Sequence, residues 1–198
     1  NPVKSTVSTS LPSQPTQTIA SYIIGEDECI WHRFSDVNEK SSFGWILYPL
    51  VDKKCLFKEQ SNFWTKDIIT YREALINTMR YFDISPANGT SHFLDIAIGD
   101  NLQWYALVAY RKGIIEWNYA YPEHIMTRDE VANLIKKVAG AETNPSQIKI
   151  YADVDTMNPL YQSIQDYGFL VRARGGKFYP KTLVSRGMLI QMLAAVKK

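Results

Sequence analysis

The sequence predicts an α/β fold, a mixed β-sheet covered by helices and preceded by a β-rich N-terminal part. Three observations predict it. Short runs of β-branched and aromatic residues recur over 20–58 and again over 92–121. From Thr127 onward, capped amphipathic patterns alternate with apolar runs. The 198 residues are 45% hydrophobic and 21% charged, a globular composition that excludes collagen-like, disordered and membrane-spanning classes.

Residues 1–18, NPVKSTVSTSLPSQPTQT, are dominated by Ser, Thr, Pro and Gln and read as a linker or tail, tethering the module to something upstream. ASYII, CIWHRF, FGWILY and KCLF then read as strands separated by polar turns. A helix is predicted over 65–82, because Ile68, Tyr71, Leu75, Met79 and Phe82 recur at spacings of three and four, with Thr65 as its cap. SPANGTS, at 85–91, is the candidate boundary.

HFLDIAIG, QWYALVAYRKG and IIEWNYAY read as an antiparallel meander. Its aromatics Trp104, Tyr105, Tyr110, Trp117, Tyr119 and Tyr121 are expected to pack the sheet, any exposed surplus marking a protein-binding patch. Thr127-Arg128-Asp129-Glu130 is a capping box that opens a helix with the stripe Val131, Leu134, Ile135 and Val138. QIKIYADVD is a strand, Asn158-Pro159 starts a helix that Gly168 stops, FLVRA is a last strand, and 182–196 is a final helix weakened by Gly187. The order over 92–198 is thus β-β-β-α-β-α-β-α. The chain divides into a tail (1–18), a β-rich part with one helix (19–88) and an α/β domain (89–198). No internal repeat is read from the sequence.

Two acids stand out. Asp95 lies inside the apolar run FLDIAIG, and Asp153 ends QIKIYAD, with Asp155 two residues on. FLDIAIGDN, WYALVAYRKG, IKIYADVD and YGFLVRARGGK resemble, in order and spacing, the nuclease domain of phage terminase large subunits and other ribonuclease H-like domains. That resemblance implies a ribonuclease H-like sheet in which Asp95 and Asp153 sit on neighbouring strands as ligands of Mg or Mn, with Asp155 auxiliary. The family's last acid comes from a C-terminal element, whereas this chain has no Asp or Glu after Asp166. An outside residue must therefore complete any such site. The plainer reading makes Asp95 a satisfied carboxylate and Asp153 and Asp155 caps of the following helix, with no cofactor.

The charge is uneven. Arg172, Arg174, Lys177, Lys181, Arg186, Lys197 and Lys198 follow the last acid and give that segment +7, while 21–166 carries −6. A basic face that meets nucleic acid or an acidic partner is one reading, with Arg172, Arg174 and Lys177 as its densest part and Lys181 and Arg186 beside them. A solvated surface beside an acidic partner domain is the other.

A second resemblance competes. KGIIEWNYA, the capped helix, QIKIYADVD and the helix ending in YGF are similar to the periplasmic domain of ExbD/TolR-type proteins. This implies a scaffold module of an envelope or secretion machine, with 1–18 as the linker from a membrane anchor and Cys29–Cys55 as a disulfide. From the residues alone, Cys29 and Cys55 are either buried thiols in neighbouring strands or a disulfide of an oxidising compartment. Asn88-Gly89-Thr90 is a glycosylation sequon that matters only in a eukaryotic secretory setting. His32, His92 and His124 lack metal-ligand spacing.

No apolar run reaches the roughly 18–20 residues of a spanning helix. No signal peptide is visible, and a start at Asn1 is expected of a processed chain or a piece of a longer one. The function these readings favour is a non-catalytic binding or scaffold module of a larger assembly, with protein partners and DNA or RNA as candidates. A metal-dependent nuclease and a periplasmic scaffold are the alternatives. The compartment is cytoplasmic if nucleic acid is bound, and periplasmic or extracellular if the cysteines are bonded.

Overall fold

A computed structural model describes residues 33–58, 61–89, 92–140, 150–167 and 175–196. The mixed sheet and the β-rich N-terminal part are not found among the described residues. The described residues hold six α-helices and no sheet: α1 (Gly44–Lys54), α2 (Tyr71–Tyr81), α3 (Asn101–Arg111), α4 (Arg128–Ala139), α5 (Tyr161–Tyr167) and α6 (Arg186–Ala195). FGWILY belongs to α1, and QWYALVAYR makes most of α3. FLDIAIG and IIEWNYAY run as bends and turns. ASYII and FLVRA lie outside the described residues. No helix among the described residues is long and apolar enough to cross a membrane.

Local chemistry explains the two helices read as strands. In α3, Leu102, Tyr105, Ala106 and Ala109 are buried at helical spacing, and Asp100 caps the start by accepting from the Leu102 N–H at 2.9 Å. In α1, Leu47, Tyr48 and Val51 face the core, and the Ser41 hydroxyl accepts from the Gly44 N–H at 2.9 Å. Gly44 has no room for a side chain, because a Cβ there would lie 2.3 Å from the Asn38 carbonyl oxygen. Pro49 removes one hydrogen bond inside α1 without ending it. The predicted capping box is present: Glu130 Oε2 accepts from the Thr127 N–H at 2.8 Å. Thr70, rather than Thr65, caps α2.

The absence of an internal repeat is also corrected. Three segments, 34–81, 93–139 and 151–195, follow one plan. Each opens on an aromatic-x-Asp-aliphatic run: Phe34-Ser35-Asp36-Val37, Phe93-Leu94-Asp95-Ile96 and Tyr151-Ala152-Asp153-Val154. A first helix (α1, α3 or α5) follows, then a turn, then a hydroxyl-capped second helix (α2, α4 or α6).

The three repeats close into a ring. The Ile69 N–H donates to the Val184 carbonyl at 2.9 Å, Val184 N–H to Met126 at 2.9 Å, and Met126 N–H to Ile69 at 3.2 Å. Three isolated antiparallel bridges join the repeats in the same cyclic order: Ile68 with Ser185, Thr70 with Ile125, and Thr127 with Leu183. A helix leaves its first amides without internal partners. Here the preceding turns supply them across the ring. Tyr71 N–H bonds the His124 carbonyl at 2.7 Å, Arg128 N–H that of Thr182 at 3.0 Å, and Arg186 N–H that of Asp67 at 2.9 Å. Ile69, Met126 and Val184 are buried at the centre, and one hydrophobic core runs through all three repeats, across the boundary expected at 85–91.

Three seams result, each joining the second-helix start of one repeat to the turn of another. Seam 1/2 sets α2 against the turn before α4. Seam 2/3 sets α4 against the turn before α6. Seam 3/1 sets α6 against the turn before α2.

Candidate binding cleft between the first two repeats

Each turn is built on its aspartate. The two oxygens of Asp36 accept from the N–H groups of Phe63 and Trp64, both at 2.7 Å. Asp95 accepts from Ala120 at 2.9 Å and Tyr121 at 2.6 Å, and Asp153 from Phe178 and Tyr179, both at 2.7 Å. The second residue of each pair has left-handed backbone: φ is 47° at Trp64, 51° at Tyr121 and 56° at Tyr179. That conformation costs a bulky residue on the order of 1–3 kcal/mol, which the two charge-assisted hydrogen bonds offset. Burial opposes ionisation of Asp153, but the Phe178 and Tyr179 amides outweigh it and hold its carboxyl below the usual carboxylate range.

Asp95 and Asp153 are therefore counterparts in two different repeats, each holding its own turn, and the neighbouring strands that would pair them at a metal are absent among the described residues. Asp155 accepts from the Met157 N–H at 2.9 Å beside the start of α5. No group of three or more His, Cys, Asp or Glu side chains among the described residues could hold a metal ion.

Of the basic candidates, Arg172 and Arg174 lie outside the described residues. Lys177 is exposed. Lys181 is ion-paired with the fully buried Asp129 at 2.7 Å. Arg186 is mostly buried, with Glu73 at 2.5 Å and Asp67 at 3.5 Å.

The seams share one layout but differ in side chains. The residue ahead of the left-handed aromatic is Phe63 in repeat one and Phe178 in repeat three, both fully buried. Repeat two has Ala120 there. The first helical residue facing that position is Arg186 in seam 3/1, Arg128 in seam 2/3 and Tyr71 in seam 1/2. Arg186 and Arg128 each donate through Nη1 to the facing carbonyl, Phe63 at 3.3 Å and Phe178 at 3.0 Å.

Ala120 leaves space. A cavity of about 460 Å³ opens at seam 1/2, with Tyr71 and Ala120 among the residues that line it. Trp117, Tyr119 and Tyr121 stand around it, and all three are exposed, Trp117 at 73%. Tyr119 and Tyr121 stack, with ring centroids 5.9 Å apart. His124, Glu130, Asn133, Glu116 and Lys137 also line the cleft. His124 Nε2 lies 3.1 Å from Glu130 Oε1, and Lys137 Nζ lies 3.1 Å from Glu116 Oε1. Burial opposes ionisation of Glu130, yet its hydrogen bonds from Thr127 and His124 keep its carboxyl below the ordinary value. Burial pushes the Tyr71 phenol up, so it stays neutral.

Sequence reasoning placed Trp117, Tyr119 and Tyr121 in a packed sheet; the structure exposes them at one mouth. It passed over Tyr71 and Ala120, whose signal lay in comparing the three turns position by position. Seam 2/3 was missed for the same reason. There, burial draws the Arg128 guanidinium pKa down while Asp153 counters it, and Nε finds no hydrogen-bond partner among the described residues. Cys55 is disulfide-bonded, and Cys29, the chain's other cysteine, lies outside the described residues. No protein-family model matches the chain, and no curated protein matches it in sequence.

Proposed function

We propose that the chain is a non-catalytic binding module whose principal seat is the aromatic cleft of seam 1/2, and that its ligand is an acidic polysaccharide. The observation that carries this reading is the open cavity lined by exposed Trp117, Tyr119 and Tyr121 together with amide, imidazole and charged groups. A concave site with aromatic walls and a few convergent polar groups is the usual form of a ligand pocket. Aromatic faces stack on the C–H faces of sugar rings, while Asn133 and His124 suit hydroxyls.

Arg128, with its unpartnered Nε beside exposed Tyr179, supplies a seat for an anionic substituent in the adjoining seam. A nucleic acid fits less well. Its regular phosphates need a continuous basic stripe. Lys181 and Arg186, which such a stripe would need, already serve internal carboxylates. The disulfide at Cys55 agrees with an oxidising, extracellular or periplasmic setting.

Affinity electrophoresis through gels containing an acidic polysaccharide, a neutral one or single-stranded DNA tests the reading. Retardation by the acidic polysaccharide that W117A and Y121A abolish is expected. Migration unaffected by either polysaccharide would overturn it. Salt-sensitive retardation by DNA that survives W117A would return the function to a basic face at Arg172, Arg174 and Lys177.

A further inference from the structure

Seam 3/1 carries its own anions, the half-exposed Asp67 at 3.5 Å from Arg186 Nη1 and the more buried Glu73. Arg186 Nε and Nη2 both donate to Glu73 Oε1, at 3.1 and 2.5 Å, and the guanidinium carbon lies 5.6 Å from the Trp64 ring centroid. Seam 2/3 has the same first-turn arginine on the same facing carbonyl, with a tyrosine in place of the tryptophan. Where repeat one presents Glu73 at the third helical position, repeat three presents Met188. No carboxylate of the described residues is hydrogen-bonded to Arg128, whose nearest counter-charge is the turn acid Asp153, already held by two amides, and among the described residues the Arg128 Nε is unpartnered. Seam 1/2 keeps the carboxylate, Glu130, but has Tyr71 instead of the arginine, and Glu130 turns to His124. Among the described residues, seam 3/1 alone combines the arginine with a carboxylate hydrogen-bonded to it from the third helical position of the facing repeat.

We propose that the Arg186 seat is a carboxylate-binding site of the same kind as the one at Arg128, held shut by Glu73 as a built-in occupant. The ring then has a third, masked seat, and Glu73 competes there with any ligand carboxylate. This rests on reading the seams as ligand seats, but its test needs no polymer. A carboxylate tied to the chain faces its partner at high effective concentration, so a free one enters only when Glu73 is removed. Gly187 keeps the seam tight as well, since a Cβ there would lie 2.5 Å from the Thr65 Cγ2.

The experiment is chemical rescue. Wild type, E73A, E73Q and E73A/R186K are melted in sodium acetate and in sodium chloride at equal ionic strength and neutral pH. E73A should melt below wild type in chloride and recover roughly half of that loss in acetate, as ligation of the folded state requires. Wild type, E73Q (whose amide fills the seat) and E73A/R186K should show no acetate-specific gain. Should E73A not fold in chloride, folding restored by acetate supports the site, and failure in both salts contradicts it. Equal acetate effects on all four proteins would overturn the proposal and leave the pair a plain structural ion pair, with the cleft of seam 1/2 untouched.

Discussion

Seam 3/1 and seam 1/2 are built on one backbone plan and end in opposite states. In the first, Phe63 fills the interior, Arg186 spans to the Phe63 carbonyl, and Glu73 and Asp67 neutralise it. In the second, Ala120 and Tyr71 take the places of the phenylalanine and the arginine, and a cavity of about 460 Å³ results. The turn aspartate, the left-handed aromatic and the ring of hydrogen bonds are common to both. The ring supplies shape and stability, while a few seam positions decide whether a seam is closed or receptive.

The comparison breaks most readily where the closed seam is emptied. F63A should cost about 3–5 kcal/mol, because it removes a fully buried ring packed 5.1 Å from Phe57 and 5.2 Å from Phe34. Urea unfolding would show a lower midpoint with an unchanged slope. F178A should behave alike in seam 2/3.

The shared turn is tested next. D95A or D153A leaves two amides without their acceptor and a left-handed aromatic without support, at a cost of about 1–3 kcal/mol. Near-equal losses would confirm that the two acids are counterparts; a loss-free D153A would break the equivalence.

Acid sharpens the same point. The folded-state carboxyl of Asp153 titrates below its unfolded value, so its contribution to stability is complete above about pH 4 and is lost as pH falls through the folded value. Glu130 has the same sign. Melting temperature measured from pH 5 to pH 2 should fall less steeply for D153N than for wild type.

The smallest effect is expected at the rim. Glu116 is 64% exposed, and E116A should cost under about 1 kcal/mol despite its pairing with Lys137. A thermal melt at two salt concentrations would show the contribution fading as salt rises.

How much of this was legible in the sequence varies with the range of the interaction. The capping box at Thr127 and Glu130, the stripe of α4 and the spacing of four among Tyr71, Leu75 and Met79 are local signals; α4 starts at its capping box, while α2 starts after Thr70, six residues into the helix predicted from 65. α3 was lost because its Trp, Tyr and Val content reads as strand, although Leu102, Tyr105, Ala106 and Ala109 carried the helical period all along. α1 was lost to Pro49 and its aromatics.

The ring was hidden for another reason. The bonds among Ile69, Met126 and Val184 are non-local, and the repeats agree at few positions beyond the aspartate, the aromatic of the turn and the hydroxyl cap. Asp95 and Asp153 stand out in the sequence, one inside an apolar run and one at the end of another, as acids expected on neighbouring strands. Their match comes from repetition, with Asp36 as the third member. The cleft could be read only after the repeats were aligned, because its cause is a side chain that is missing at Ala120.

The most direct test of the account is A120F, which puts into repeat two the ring that closes the other two turns. Binding of acidic polysaccharide and melting temperature would be measured side by side on A120F and wild type. A120F should fold with its melting temperature held or raised and lose the polysaccharide. Full binding by a folded A120F would show that the ligand does not sit at seam 1/2, and would contradict the central claim.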